Sequence, residues 1–291
     1  MKNIDIVFGI DNNYAKYCTI AIQSILSHLN SNYKLNIAII YEKLSIKSLN
    51  NFKTIKSKQL NKITFHKIYL KKFMKSNYWH KSIFYRFYID RILPSNIKKI
   101  IYIDSDIFVN DSIHKLYNID LKNYNIGAVI DAGTFNINYL DKLEMKSNVY
   151  FNSGVLLINI KKWKSDKITT KLEKTIKKYG ANLQNPDQDL LNIIFEKKFK
   201  IINPKWNLQT IMYSNYKYWK YLKNKGVHHF TFVKPWRSYS SHPKSKVYRE
   251  FAKQKGFIVE TNYLDVKDFL SMLKYYIRYF LIFNIYKLIN L

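Results

Sequence analysis

A single cysteine, Cys18, leaves this chain no means of building an internal disulfide, which suits a reducing cytoplasm. Glycine is scarce too, at 7 of 291 residues, and no Gly-x-Gly-x-x-Gly or Walker-type loop occurs. Those two phosphate cradles are therefore excluded. Acidic residues are few: 20 Asp and Glu face 49 Lys and Arg, a formal net charge of +29. An excess of that size points to nucleic acid, an anionic membrane surface, or polyanions such as nucleotide diphosphates. No RRM or zinc-finger signature is present, so nucleic acid ranks last. Lys, Asn, Ile and Tyr recur from end to end, and much of the positive charge reads as solvated surface set by codon composition. The opening run Ile4–Ile10 is too short and too polar for a signal sequence and reads as a first strand.

Hydrophobic residues make up 47% of the chain, enough for a sizeable core. Strand-like and helix-like segments alternate through the first half. Strands are expected over 4–10, 35–41, 63–70, 99–103 and 126–130, with helices over 14–29, 45–60 and 82–93, the last stopped by Pro94. This rhythm predicts an α/β fold with a mainly parallel sheet flanked by helices. Beyond it come a long strand over 149–160 broken at Asn152-Ser153-Gly154, a Lys-rich helix over 161–179, and a helix starting near Asp187. We read residues 1–260 as one catalytic domain and 261–291 as a tail.

The strongest local signal is Lys99-Ile-Ile-Tyr-Ile-Asp104-Ser105-Asp106. In extended backbone, residues two apart point the same way, so both carboxylates can face one divalent cation at the end of a buried strand. Oxygen ligands with open positions suit Mn2+ or Mg2+ holding a diphosphate. An isolated Asp-x-Asp is more often a solvated turn, but four other segments accompany this one. Asp11-Asn12-Asn13-Tyr14 closes the first strand, where Asp or Asn would also cap a helix. Gly154 inside an apolar strand signals a bulge or a close approach. Asn185-Pro186-Asp187-Gln188-Asp189 puts more polar groups at a helix start than capping needs. His228-His229 and Lys234-Pro235-Trp236 offer imidazole for a metal and an ammonium for phosphate; either histidine is placed to serve.

In this order the segments resemble glycosyltransferase family 8, retaining enzymes of the GT-A fold that include lipopolysaccharide galactosyl- and glucosyltransferases. The matching stretches are Val7–Tyr14, Ser82–Arg86, Tyr102–Asp106, Phe151–Gly154, Asp187–Asp189 and His229–Trp236. The resemblance implies a UDP-hexose donor, with Asp11, Asn13 and Tyr14 at the uracil and ribose and Ser105 also in the donor site. It implies Asp104, Asp106 and the motif histidine as ligands of Mn2+ (or Mg2+), and Lys234 on the diphosphate. Arg86, Asn152 and Asp187 would meet the donor hexose, with Gln188 beneath the anomeric carbon. His229 is favoured over His228 because an aromatic residue and Thr follow it directly. One departure stands out: where the family carries a Gly before Lys-Pro-Trp, this chain reads Thr231-Phe232-Val233.

The implied reaction moves galactose or glucose onto a lipopolysaccharide, lipooligosaccharide or other surface-glycan acceptor with retention. An amide at 188 favours same-face attack, while Asp187 and Asp189 leave double displacement open. Two rivals are a non-catalytic nucleotide-sugar or polyanion-binding module and an inverting GT-A enzyme. In the tail, Lys267, Ser271, Lys274 and Arg278 share one helical face, and Leu270, Leu273, Ile277 and Leu281 another. Its charges forbid a membrane span, so the expectation is an amphipathic helix lying on an anionic bilayer, at the cytoplasmic face.

Overall fold

The computed structural model describes residues 1–70, 80–133, 137–180, 183–237 and 240–258, together with Leu273 and Ile277. The tail helix expected over 264–291 otherwise lies outside the described residues. Seven strands form the main sheet: β1 Lys2–Gly9, β2 Tyr33–Tyr41, β3 Leu60–Lys67, β4 Lys99–Ile103, β6 Ile126–Ile130, β7 Phe151–Asn159 and β8 Lys200–Ile201. Their order is β3-β2-β1-β4-β7-β6-β8. Every pairing is parallel except those of β7, which runs antiparallel to β4 and β6. A second sheet of three short strands joins β5 Ile107–Val109, β9 Leu208–Gln209 and β10 Val227–His229 in the order β5-β10-β9.

The period-2 pattern of the central strands divides the core. Ile4, Ile6 and Phe8 of β1 and Ile101 and Ile103 of β4 pack with the helix Ala15–Ser27. Val7, Ile100 and Tyr102 face the other way, against Phe84, Phe87, Trp163, Leu172 and Leu190. A third cluster, with Phe108, Phe230, Trp236 and Tyr248, ties the small sheet to the helix Ser245–Gln254.

Several elements differ from the sequence reading. The expected 45–60 helix is only Ile46–Lys53, capped at its start by the Ser45 side chain; Leu60 already begins β3. Residues Lys81–Tyr88 wind as a 3-10 helix, and only Ile89–Ile92 is α. The tighter winding buries four consecutive residues, Phe84 to Phe87. The Lys-rich 161–179 segment is two helices, Ile160–Ser165 and Ile168–Tyr179, separated by Lys167 with φ of +52°. Strand β7 begins at Phe151 and runs through Asn152-Ser153-Gly154 without a break.

Candidate active site

Strand β1 ends at Gly9, β4 at Ile103 and β6 at Ile130, and their outgoing loops carry Asp11, Asp104 and Asp131 to one edge of the sheet. This is where open α/β sheets bind ligands. A cleft of about 830 Å3 opens there. It is lined by Asp11, Tyr14, Arg86, Asp104, Ser105, Asp106, Asn152, Asp187, Gln188, His229 and Lys234, drawn from six separate stretches of chain. Of the predicted site residues only Asn13 is absent from the lining; it is exposed, and its N–H donates to Asp11 Oδ1 at 2.9 Å. The same oxygen accepts from Tyr14 N at 3.1 Å, so Asp11 closes the turn that leads into the Ala15–Ser27 helix.

Alternation along β4 sets the side chains at its exit. Ser105 follows Ile101 and Ile103 to the face where its hydroxyl lies beside the buried Cys18 thiol. Asp104 and Asp106 turn the other way, into the cleft. The small sheet completes the group. His229 is paired with Ile107 across β10–β5, and Phe230 N donates to Asp106 O at 2.9 Å. His229 Nε2 therefore sits 3.3 Å from Asp106 Oδ1. Ligand atoms from Asp104, Asp106 and His229 all lie within 4.8 Å of one another. His228, the other candidate, points to the opposite face of β10, where its Nδ1 meets the Tyr213 hydroxyl. Burial pushes its imidazole down to about 3.

Gly154 is what lets His229 approach. A Cβ at that position would stand 2.2 Å from His229 Cε1 and 2.9 Å from Asp104 Oδ2. The glycine in β7 thus admits a close approach by the imidazole, and it also lies where the β6–β7 register shifts.

Charge in the site is balanced by residues from the surrounding layers. Buried Arg86 donates to Asp104 Oδ1 at 2.8 Å, pairs with Asp187 Oδ2 at 3.0 Å, and donates to Ser153 O at 2.7 Å. Burial opposes its charge, but Asp104 and Asp187 raise its pKa further still. Desolvation pushes Asp104 up to about 6 despite Arg86. Asp106 is shifted the other way: its own burial is overcome by the Lys234 ammonium, which contacts Oδ2, and by His229. Lys234 is fixed in turn by Phe230 O at 2.8 Å, and Trp236 two residues on stacks on Tyr17.

The two carboxylates flanking Gln188 part company. Asp187 faces Arg86 and accepts from Ser153 Oγ at 2.8 Å. Asp189 is fully buried outside the cleft, bound by the hydroxyls of Tyr139 and Tyr150 and by Asn185 N. It is occupied as a structural acceptor and is not placed to attack a sugar.

Sequence reasoning missed two groups. Asp131 accepts from Asn152 Nδ2 at 2.9 Å and Gln188 Nε2 at 3.0 Å; its place at the end of a buried strand was the signal, the same one that marked Asp104. Asn207 accepts from His229 Nδ1 at 2.9 Å, and nothing local in the sequence announces it. Phe232, standing where the family has its glycine, is 80% exposed on the rim of the cleft.

The family model described as Glycosyl transferase family 8 matches residues 5–240. Over 211 residues the chain is 32% identical to a Haemophilus influenzae protein that carries the name glycosyltransferase, covering 71% of this chain and 63% of that one. It is 33% identical over 165 residues to General stress protein A of Bacillus subtilis, covering 51% and 56%. The chain thus spans less than two thirds of the length of these two relatives. It is 28% identical over 270 residues to an Escherichia coli lipopolysaccharide 1,2-glucosyltransferase, covering 85% and 77%. The crystal structure of the galactosyltransferase LgtC with donor and acceptor sugar analogs superimposes with a TM-score of 0.78 at 24% identity, covering 88% of this chain and 98% of that one. That likeness fixes the architecture as GT-A. With its strand-end carboxylates, its His229 and its motif order all inside the matched segment, the chain belongs to glycosyltransferase family 8.

Proposed function

We propose that this protein transfers a hexose, galactose or glucose, from a UDP-sugar to a lipopolysaccharide, lipooligosaccharide or other surface-glycan acceptor, retaining the α configuration. The observation that carries the reading is the meeting of Asp104, Asp106 and His229 inside the cleft. Two carboxylates and a neutral imidazole suit Mn2+, or Mg2+, with coordination positions left over for a diphosphate. Lys234 and Arg86 lie against the two carboxylates and stand as their counter-ions, and a bound cation would take over Asp106 from Lys234.

When bound, the metal supplies electrostatic stabilisation of the departing UDP. Lys234 adds an ammonium to the same leaving diphosphate, where charge develops as the bond to the anomeric carbon breaks. Tyr14 and Asp11, at the first strand's exit, frame the nucleoside end of the cleft. Arg86, Asn152 and Asp187 position the hexose. Gln188 holds its amide towards the sugar, with Oε1 accepting from Ser153 N at 3.0 Å and Nε2 donating to Asp131. An amide is a poor nucleophile and Asp189 is sequestered, which favours same-face attack with the leaving phosphate accepting the acceptor's proton.

The test is a panel of UDP-sugars with Mn2+, scored first by slow donor hydrolysis and then by transfer. UDP release that EDTA abolishes and Mn2+ restores is expected, with an α-glycoside seen by NMR. Full activity in EDTA would sink the metal assignment. A β-glycoside would make the enzyme inverting, and donor binding without turnover would favour a binding module. Among the described residues no helix is long and apolar enough to cross a membrane. We place the protein on the cytoplasmic face through the basic tail of residues 261–291, where the charges at Lys267, Lys274, Arg278 and Lys287 suit anionic lipid.

A further inference from the structure

A hydrogen-bonded chain leads from the sugar side of the cleft to the metal side, and every group along it has its direction forced. It begins at Asp131, which accepts from Gly133 N at 2.7 Å, Asn152 Nδ2 at 2.9 Å and Gln188 Nε2 at 3.0 Å. A carboxylate taking three N–H bonds acts only as an acceptor. Asn152 must therefore present its NH2 to Asp131 and its Oδ1 the other way. Gly154 N independently demands the same orientation, donating to Asn152 Oδ1 at 3.1 Å. That oxygen also accepts from Asn207 Nδ2 at 2.8 Å, which fixes the second amide. Asn207 Oδ1 is left facing His229 Nδ1 at 2.9 Å, and an amide oxygen can only accept. His229 Nδ1 must carry a proton, so Nε2, 3.3 Å from Asp106 Oδ1, is the nitrogen left to face a cation shared with that carboxylate.

We propose that Asp131, Asn152 and Asn207 form an orienting relay that locks His229 in the Nδ1–H tautomer and so presents a lone pair to the cation site. Asn207 is a positioning residue, fully buried and outside the cleft lining. It determines the metal site through His229, while the same Asp131 holds Gln188 on the sugar side. One carboxylate thus sets the geometry of both halves of the cleft. The inference rests on the reading of Asp104, Asp106 and His229 as a metal centre, but its first step concerns a tautomer that exists without any metal. Outer partners of this kind fix ring orientation and are worth about 10- to 100-fold in metal affinity.

The experiment uses the full chain, 15N-labelled at histidine, with His229→Gln to assign the resonance. In metal-free wild type, two-dimensional 15N–1H spectra should show His229 protonated at Nδ1. An Nε2–H tautomer there would overturn the relay whatever the metal does. Mn2+ affinity is then read by electron paramagnetic resonance without donor. Asn207→Leu removes the acceptor and should weaken Mn2+ by ~10- to 100-fold, with the Nδ1–H signature lost. Asn207→Asp keeps an acceptor towards His229 and should restore both the tautomer and most of the affinity. Equal affinity in wild type and Asn207→Leu would refute the positioning role. If Asn207→Leu does not fold, the wild-type spectrum and Asp131→Asn, which removes the acceptor-only anchor and should erode the Nδ1–H preference, decide the question. Wild type that shows the Nδ1–H tautomer yet binds no Mn2+ would defeat the metal reading, and with it the purpose assigned to the relay.

Discussion

Gly154→Ala tests how tightly the cation site is built. The added Cβ would lie 2.2 Å from His229 Cε1 and 2.9 Å from both His229 Nδ1 and Asp104 Oδ2. Carbon atoms rest about 3.5–4.0 Å apart, so something must move by more than ~1 Å. Strand β7 is tied to the β4 exit at this point, Gly154 O accepting from Asp104 N at 2.9 Å, which resists its retreat. His229 is held by Asn207 and by β10, which is paired with β5 and β9. The imidazole must therefore leave its position, at an overpacking cost of about 1–3 kcal/mol. In a chain of this size each kcal/mol lowers Tm by roughly 2–4 °C. With the ligand displaced, Mn2+ affinity should fall at least ~10-fold. Gly127→Ala is the control: its Cβ would meet Leu121 Cδ2 at 2.9 Å and Ile202 Cγ2 at 3.2 Å in apolar packing outside the cleft lining. That variant should lose stability and keep its Mn2+ affinity. Calorimetric unfolding and Mn2+ titration of both proteins give the comparison. Wild-type Mn2+ affinity in Gly154→Ala would refute the assignment of His229 as a ligand pressed against β7.

Other outcomes follow from the charges and the tail. Asp104 is raised to about 6 while Asp106 is depressed, so Asp104 is the carboxylate that titrates at mildly acid pH. In the metal-free protein the stability linked to its protonated form is present below about 3.9 and lost as pH rises through about 6. Cation binding needs the ionised form, so Mn2+ affinity should be full above pH 7 and fall as pH drops through 6; a flat profile from 5 to 7.5 would contradict this. Lys234→Ala should raise Mn2+ affinity in the absence of nucleotide by roughly 3- to 10-fold, because the ammonium competes for Asp106, while turnover falls. Unchanged or weaker binding would show that Lys234 is no counter-ion to the site. Deleting residues 264–291 should release the protein from anionic liposomes but spare transfer to a soluble acceptor fragment, since each basic residue near such a surface is worth about 1 kcal/mol. Undiminished sedimentation of the truncated chain would show that the anchor lies elsewhere.

Much of the fold was legible because its signals are local. Apolar, β-branched runs gave β1, β2, β4 and β6, and the turn to antiparallel pairing at β7 left the α/β reading intact. Helix lengths were less readable. The 3-10 winding at Lys81–Tyr88 and the left-handed Lys167 answer to packing, which periodicity does not record.

For the site, the sequence by itself determined what adjacent residues determine. Asp104 and Asp106 reach the same cleft because they sit two apart just beyond a strand whose end lies at the ligand edge of the sheet, with the chain bending at Ser105 and Asp106 between β4 and β5. Tertiary structure decided what depends on which strand meets which. His229 rather than His228 faces the carboxylates because β10 pairs with β5 in a register that sets His229 opposite Ile107, and alternation then turns His228 away. Asp189 looks identical to Asp187 in sequence but is taken by Tyr139 and Tyr150, 50 and 39 residues away. Asn207 and Asp131 acquire their roles only through hydrogen bonds spanning tens of residues. Short hydrogen bonds carry direction and chemistry, and only a folded chain can say which distant groups are close enough to make them.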